Sequence, residues 1–119
     1  MYHALMALVL LVEDHADTAE AMRMLLKHGG HEVQIAGTLA DAERMALACR
    51  YDVIFCDLSL PDGRGTLLPP LVKARCPTTK IVSLTGADPT QTSENASVAF
   101  DDHLTKPASF EAIEKCIKG

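Results

Sequence analysis

Short apolar runs alternate with amphipathic stretches along the chain. The runs are Ala7–Val12, Glu32–Ala36, Val53–Cys56 and Lys80–Leu84, with a weaker fifth at His103–Leu104. Runs of this length, rich in Val, Ile and Leu and flanked by turn residues, predict strands buried on both faces. Between them the apolar spacing is helical. In Asp17–His28, the residues Ala21, Met24, Leu25 and His28 fall at i, i+3, i+4 and i+7, and Gly29-Gly30 is the stop signal. In Thr38–Cys49, one face carries Leu39, Ala42, Ala46 and Cys49, with Thr38 as the N-cap. A third helix, around Leu67–Arg75, contains Pro69-Pro70. Proline is comfortable only in a first turn, so this helix is expected to begin near Pro69. A fourth is expected within Pro89–Ala99 and a short fifth over Phe110–Ile117.

Five strand–helix alternations predict an α/β fold: a doubly wound, five-stranded parallel sheet flanked by five helices. Right-handed crossovers leave few topologies for it. No repeat, linker or low-complexity segment interrupts the pattern, so residues 1–119 are expected to form a single domain.

Composition narrows the function classes. The 119 residues are 48% hydrophobic and 23% charged, and the net charge is -5. That balance argues against a nucleic-acid surface. The apolar segment Ala4–Val12 is too short to span a membrane and runs directly into Glu13-Asp14, so no membrane insertion is expected. The four cysteines, Cys49, Cys56, Cys76 and Cys116, lack C-x-x-C spacing. They predict neither a zinc ribbon nor a redox pair, and they suit a reducing cytoplasm. Cys56 is read as a small buried hydrophobe. His3, His15, His28 and His31 are read as solvated or packed side chains, and Met22, Met24 and Met45 as core or gap fillers.

In open parallel sheets, sites form beyond the carboxyl ends of the strands. Glu13-Asp14, Asp57, Thr85-Gly86 and Thr105-Lys106-Pro107 occupy those ends. Three carboxylates brought together repel each other unless a cation sits among them. Hard oxygen donors suit magnesium, and a lysine beside them can meet an anion. A cation, a lysine, a hydroxyl and a spare carboxylate make a phosphoryl-transfer site, in which the carboxylate can be the nucleophile. Asp57 as a plain turn cap is the bland alternative. Glu13-Asp14 can also serve a helix N-terminus.

Four segments, "LLVEDHADT", "VIFCDLSLPDGRG", "SLTGADP" and "FDDHLTKP", in this order and each at a strand end, resemble the receiver domain of two-component response regulators. The resemblance spans about Leu8 to Ile117 and implies a CheY-like, flavodoxin-like sheet of order 2-1-3-4-5. It implies that Asp57 accepts a phosphoryl group from a phosphohistidine of a histidine kinase or a histidine phosphotransfer domain. It implies Mg2+ as cofactor, held by Glu13, Asp14, Asp57 and the backbone carbonyl of Ser59. Lys106 would contact the phosphoryl group, with a cis bond before Pro107. Thr85 and His103 would form the switch, acting on a face built from the fourth helix, fifth strand and fifth helix. That face also leaves a homodimer open. Such a protein catalyses its own phosphotransfer and dephosphorylation without being a conventional enzyme.

The chain departs from the family pattern in three places. His103 stands where an aromatic residue is usual, Pro69-Pro70 enter the third helix, and Ser59 and Ala87 flank the phosphorylation site. A pseudo-receiver, binding partners without phosphorylation, is the competing reading, against which stand Asp57, Lys106 and Thr85. A flavin carrier would need a phosphate loop where "EDHADT" stands. A haloacid-dehalogenase-type phosphatase would need an acid at Ser59. A single-domain regulator and a receiver cut from a larger protein, such as a hybrid kinase, both fit.

Overall fold

The computed structural model describes residues 6–86 and 99–118. Five parallel strands form one sheet: β1 Leu8–Val12, β2 Glu32–Ala36, β3 Val53–Asp57, β6 Lys80–Thr85 and β7 Asp102–Thr105. Between β3 and β6, the two-residue strands β4, Ser59–Leu60, and β5, Gly63–Arg64, pair as an antiparallel ribbon. The sheet order is β2-β1-β3-β6-β7, the order expected from the resemblance. Helices α1 Ala16–His28, α2 Leu39–Ala48 and α3 Leu68–Arg75, and a C-terminal helix Phe110–Lys118, flank it. The helix expected within Pro89–Ala99 falls almost wholly in 87–98, outside the described residues. No helix among the described residues is long and apolar enough to cross a membrane.

Side chains alternate between the two faces of a strand, and each face has its own core. Leu10, Val12, Ile54, Cys56 and Ile81 pack against Ala42 and Ala46 of α2 and Leu68 and Val72 of α3. Val9, Leu11, Phe55, Val82, Leu84 and Leu104 pack against Ala19, Met22 and Leu26 of α1 and Ile113 and Cys116 of the C-terminal helix.

The central strands are buried on both faces as expected, but β2 is not. Only Ala36 is buried in it, and Ile35 is exposed. β2 is an edge strand whose single neighbour is β1.

α1 departs more instructively. Its buried residues are Ala19, Met22 and Leu26, whereas Ala21, Met24 and His28 face solvent. The stripe read from the sequence is therefore turned from the real one. Ala19, Met22, Leu25 and Leu26 make an equally good helical stripe, and only contact with the sheet selects between the two. In α2 the expected face is buried except for exposed Cys49, and the Thr38 hydroxyl accepts a hydrogen bond from the Asp41 amide at 3.1 Å. Its first turn has a second cap from far away: Asp62 accepts from the Leu39 and Ala40 amides at 2.7 and 2.9 Å. Those amides hold its carboxyl below the usual range. α3 places its prolines in the first turn, after a 3-10 turn over Gly65–Leu67.

Candidate functional site

The register of the parallel ladder builds the site. Val12 is the Cα partner of Cys56, so Glu13 and Asp57 are the next rung on adjacent strands. The Glu13 amide extends the ladder by donating to the Ala36 carbonyl at 3.0 Å. By alternation, Glu13, Asp57 and Lys106 continue the face that carries Leu11, Phe55 and Leu104, while Cys56, Ser83 and His103 belong to the opposite one.

Lys106 closes the cluster. Its Nζ donates to Glu13 Oε1 at 2.9 Å and to Asp57 Oδ2 at 3.2 Å. Its own amide donates to the Thr85 carbonyl at 2.7 Å, and the Lys106–Pro107 bond is cis, as the resemblance implied. The Ser59 amide donates to Asp57 Oδ1 at 3.1 Å. The loop after Asp57 fits only because residue 65 is glycine: a Cβ there would stand 2.1 Å from the Asp57 carbonyl oxygen.

The two buried carboxylates are driven in opposite directions. Burial raises Glu13, but hydrogen bonds from Lys106 and His15 outweigh it and leave the carboxyl below its usual range. Burial, with the Glu13 charge beside it, raises Asp57 despite the Ser59 amide and Lys106. Burial lowers Lys106, yet its two carboxylate partners prevail and raise it. Neighbouring Cys56 is pushed up to about 12 by burial and the adjacent carboxylates. It stays a thiol and belongs to the core, as the sequence indicates.

Asp14 lies beside this pair with its side chain partly open to solvent. It does not cap α1, whose N-cap position is His15. Sequence reasoning gave His15 no part in the site, yet its Nδ1 lies 3.2 Å from Glu13 Oε2 and 3.3 Å from Asp14 Oδ1. Its place directly after the acidic pair was the only signal. One ligand atom from each of Glu13, Asp14, His15 and Asp57 lies within 4.8 Å of all the others. Such an oxygen-rich set fits a hard dication.

Thr85 ends β6 buried, one residue beyond Leu84, the Cα partner of Asp57. His103 stands apart from the carboxylates. It is exposed, its Nδ1 is hydrogen-bonded to the buried Ser83 hydroxyl, and its ring meets Phe100 edge-on at 6.3 Å.

The family model for the response regulator receiver domain matches residues 9–118. This chain belongs to that family. It is therefore a receiver domain of the two-component signal-transduction type. It is 33% identical over 108 residues to the transcriptional regulatory protein DpiA of Escherichia coli K12, covering 88% of this chain and 48% of that protein. It is 34% identical over 107 residues to DltR of Streptococcus agalactiae serotype III, covering 89% and 47%. The receiver thus spans about half the length of these relatives. Both are named as transcriptional regulators, so the comparisons lend no support to the expectation against a nucleic-acid partner.

Among solved structures, a CheY-like receiver domain from Methylobacillus flagellatus superposes with a TM-score of 0.87 at 29% identity, covering 95% of this chain and 97% of that one. The receiver domain of a sensor histidine kinase from Pseudomonas aeruginosa PAO1 superposes at 0.85 with 26% identity, covering 94% of each. That structure is described with a magnesium ion coordinated in its active-site cleft.

Proposed function

We propose that residues 1–119 act as a single phosphorelay receiver in which Asp57 is the phosphoacceptor. The observation that carries this is the pairing of a raised, buried Asp57 carboxylate with Lys106 at 3.2 Å and two further acids beside it. A carboxylate oxygen of Asp57 attacks the phosphorus of a phosphohistidine on a kinase or phosphotransfer partner. The O–P bond forms as the P–N bond breaks, and the electron pair leaves with the imidazole. The Ser59 amide fixes one Asp57 oxygen, so the other is aimed before the donor arrives.

Glu13, Asp14, Asp57 and the Ser59 carbonyl would hold Mg2+. The ion supplies charge neutralisation for the transferring phosphoryl oxygens. Lys106, already bonded to Glu13 and Asp57, would share that work.

After transfer, Thr85 offers its hydroxyl and Lys106 its ammonium to the new phosphoryl oxygens. His103, tied to Ser83 on the same rung, registers the shift on the face of β7 and the C-terminal helix. That face is the candidate for output or homodimer contact. The site sits on a chain without a described membrane-spanning helix and serves a cytoplasmic relay.

Intact-mass measurement after incubation with a small phosphodonor tests the reading. One phosphoryl group is expected, only with Mg2+, and none on Asp57→Asn. Equal uptake by Asp57→Asn overturns the assignment. No uptake by the wild type, with Mg2+ binding intact, favours a pseudo-receiver.

A further inference from the structure

The cation-binding cluster is not made of oxygen alone. His15 caps α1 by position, with extended backbone (φ -83, ψ 114), but its side chain makes no cap hydrogen bond. The ring turns instead onto the carboxylates, and its side chain remains 73% exposed on the open side of the cleft. Glu13 is divided between two neighbours: Oε1 takes Lys106 and Oε2 faces His15 Nδ1. A dication among Glu13 Oε2, Asp14 Oδ1 and His15 Nδ1 therefore need not displace Lys106.

The spacing suits shared coordination. In an octahedral shell with bonds of roughly 2.1 Å, neighbouring ligand atoms stand about 3 Å apart. The two contacts of His15 Nδ1, 3.2 and 3.3 Å, are close to that edge length. Imidazole nitrogen is a poor partner for magnesium and a good one for first-row transition dications.

We propose that His15 Nδ1 is a direct ligand in this site, making it a mixed nitrogen–oxygen site that takes a borderline dication of the cobalt or zinc class as well as Mg2+. The proposal rests on the acidic cluster being the cation site. Its consequence is selectivity: His15 strengthens transition-metal binding and leaves magnesium binding unaltered.

The test is calorimetric titration of the whole chain with Mg2+ alone and Co2+ alone, for the wild type and His15→Ala. His15→Ala is expected to weaken Co2+ about tenfold or more and to change Mg2+ less than about twofold. A second readout is pulsed electron paramagnetic resonance of the Mn2+-loaded protein. Nuclear modulation from a directly bound nitrogen is expected in the wild type and absent from His15→Ala. Unchanged Co2+ affinity with no nitrogen modulation, while Mg2+ still binds, overturns the role of His15 and leaves the acidic site standing. Failure of the wild type to bind either ion overturns both readings.

Discussion

Lys106 stands closer to Glu13 than to its proposed working partner Asp57, 2.9 against 3.2 Å. Glu13 has no side-chain exposure at all, so this ammonium is the principal counter-charge of a carboxylate that water cannot reach. Lys106→Ala should therefore destabilise the metal-free protein by about 1–3 kcal/mol, the cost of leaving a buried charged group poorly paired. A dication can replace the lost ammonium, so Mg2+ affinity should hold or rise a few-fold. Chemical denaturation with and without Mg2+, alongside a magnesium titration, checks both. A large loss of Mg2+ affinity would contradict the geometry.

Gly65→Ala should damage the site without touching a charged residue. The added methyl meets the Asp57 carbonyl oxygen, and backbone cannot swing aside as a flexible side chain can. The expected cost is about 1–3 kcal/mol, with slower phosphoryl uptake because the loop from Asp57 to Gly65 must shift. Parallel thermal melts and phosphorylation time courses measure the two effects.

His31 joins three parts of the chain through one ring. Its Nδ1 accepts from the Ala7 amide at 3.0 Å, so the hydrogen lies on Nε2, which donates to Glu114 at 2.8 Å. The ring is buried. His31→Leu strands the Ala7 amide and the Glu114 carboxylate and should cost about 2–3 kcal/mol. Glu114→Gln keeps an acceptor and should cost about 1 kcal/mol or less. Imidazole nitrogen shifts should report the Nε2–H tautomer in the wild type.

Asp101 should make stability depend on acid. Burial raises its carboxyl, but the bond from Lys73 at 2.7 Å and that from the Ile81 amide at 2.8 Å prevail and hold it below the usual range. A carboxyl depressed in the folded state contributes stability above its unfolded value, about 3.9. That contribution disappears as pH falls through the lower folded value. Asp101→Asn should thus lose about 1 kcal/mol at pH 7, part of the group being open to solvent. It should also show a flatter stability profile below about pH 4. Denaturant midpoints across that range decide it.

The strands were legible because their signal is local. A buried apolar run such as Val53–Cys56 is poorly solvated anywhere but in a core, and five strand signals separated by helical spacing leave one sheet type. The expected site was legible for a related reason: Glu13, Asp57 and Lys106 sit where a strand ends, and parallel strands end together.

What the tertiary structure alone decided depends on register and approach. Helical periodicity fits two stripes on α1, and only the sheet selects Ala19, Met22 and Leu26 over Ala21, Met24 and His28. Asp62 caps a helix 22 and 23 residues back in the chain, and Gly65 is required by a carbonyl eight positions away. His15 reads as a solvated histidine until the rung that pairs Val12 with Cys56 brings Glu13 beside Asp57 and turns the ring onto their cluster. Side-chain type and spacing encode which face a residue prefers. Which neighbours it meets there is settled only when backbone hydrogen bonds align one strand against the next.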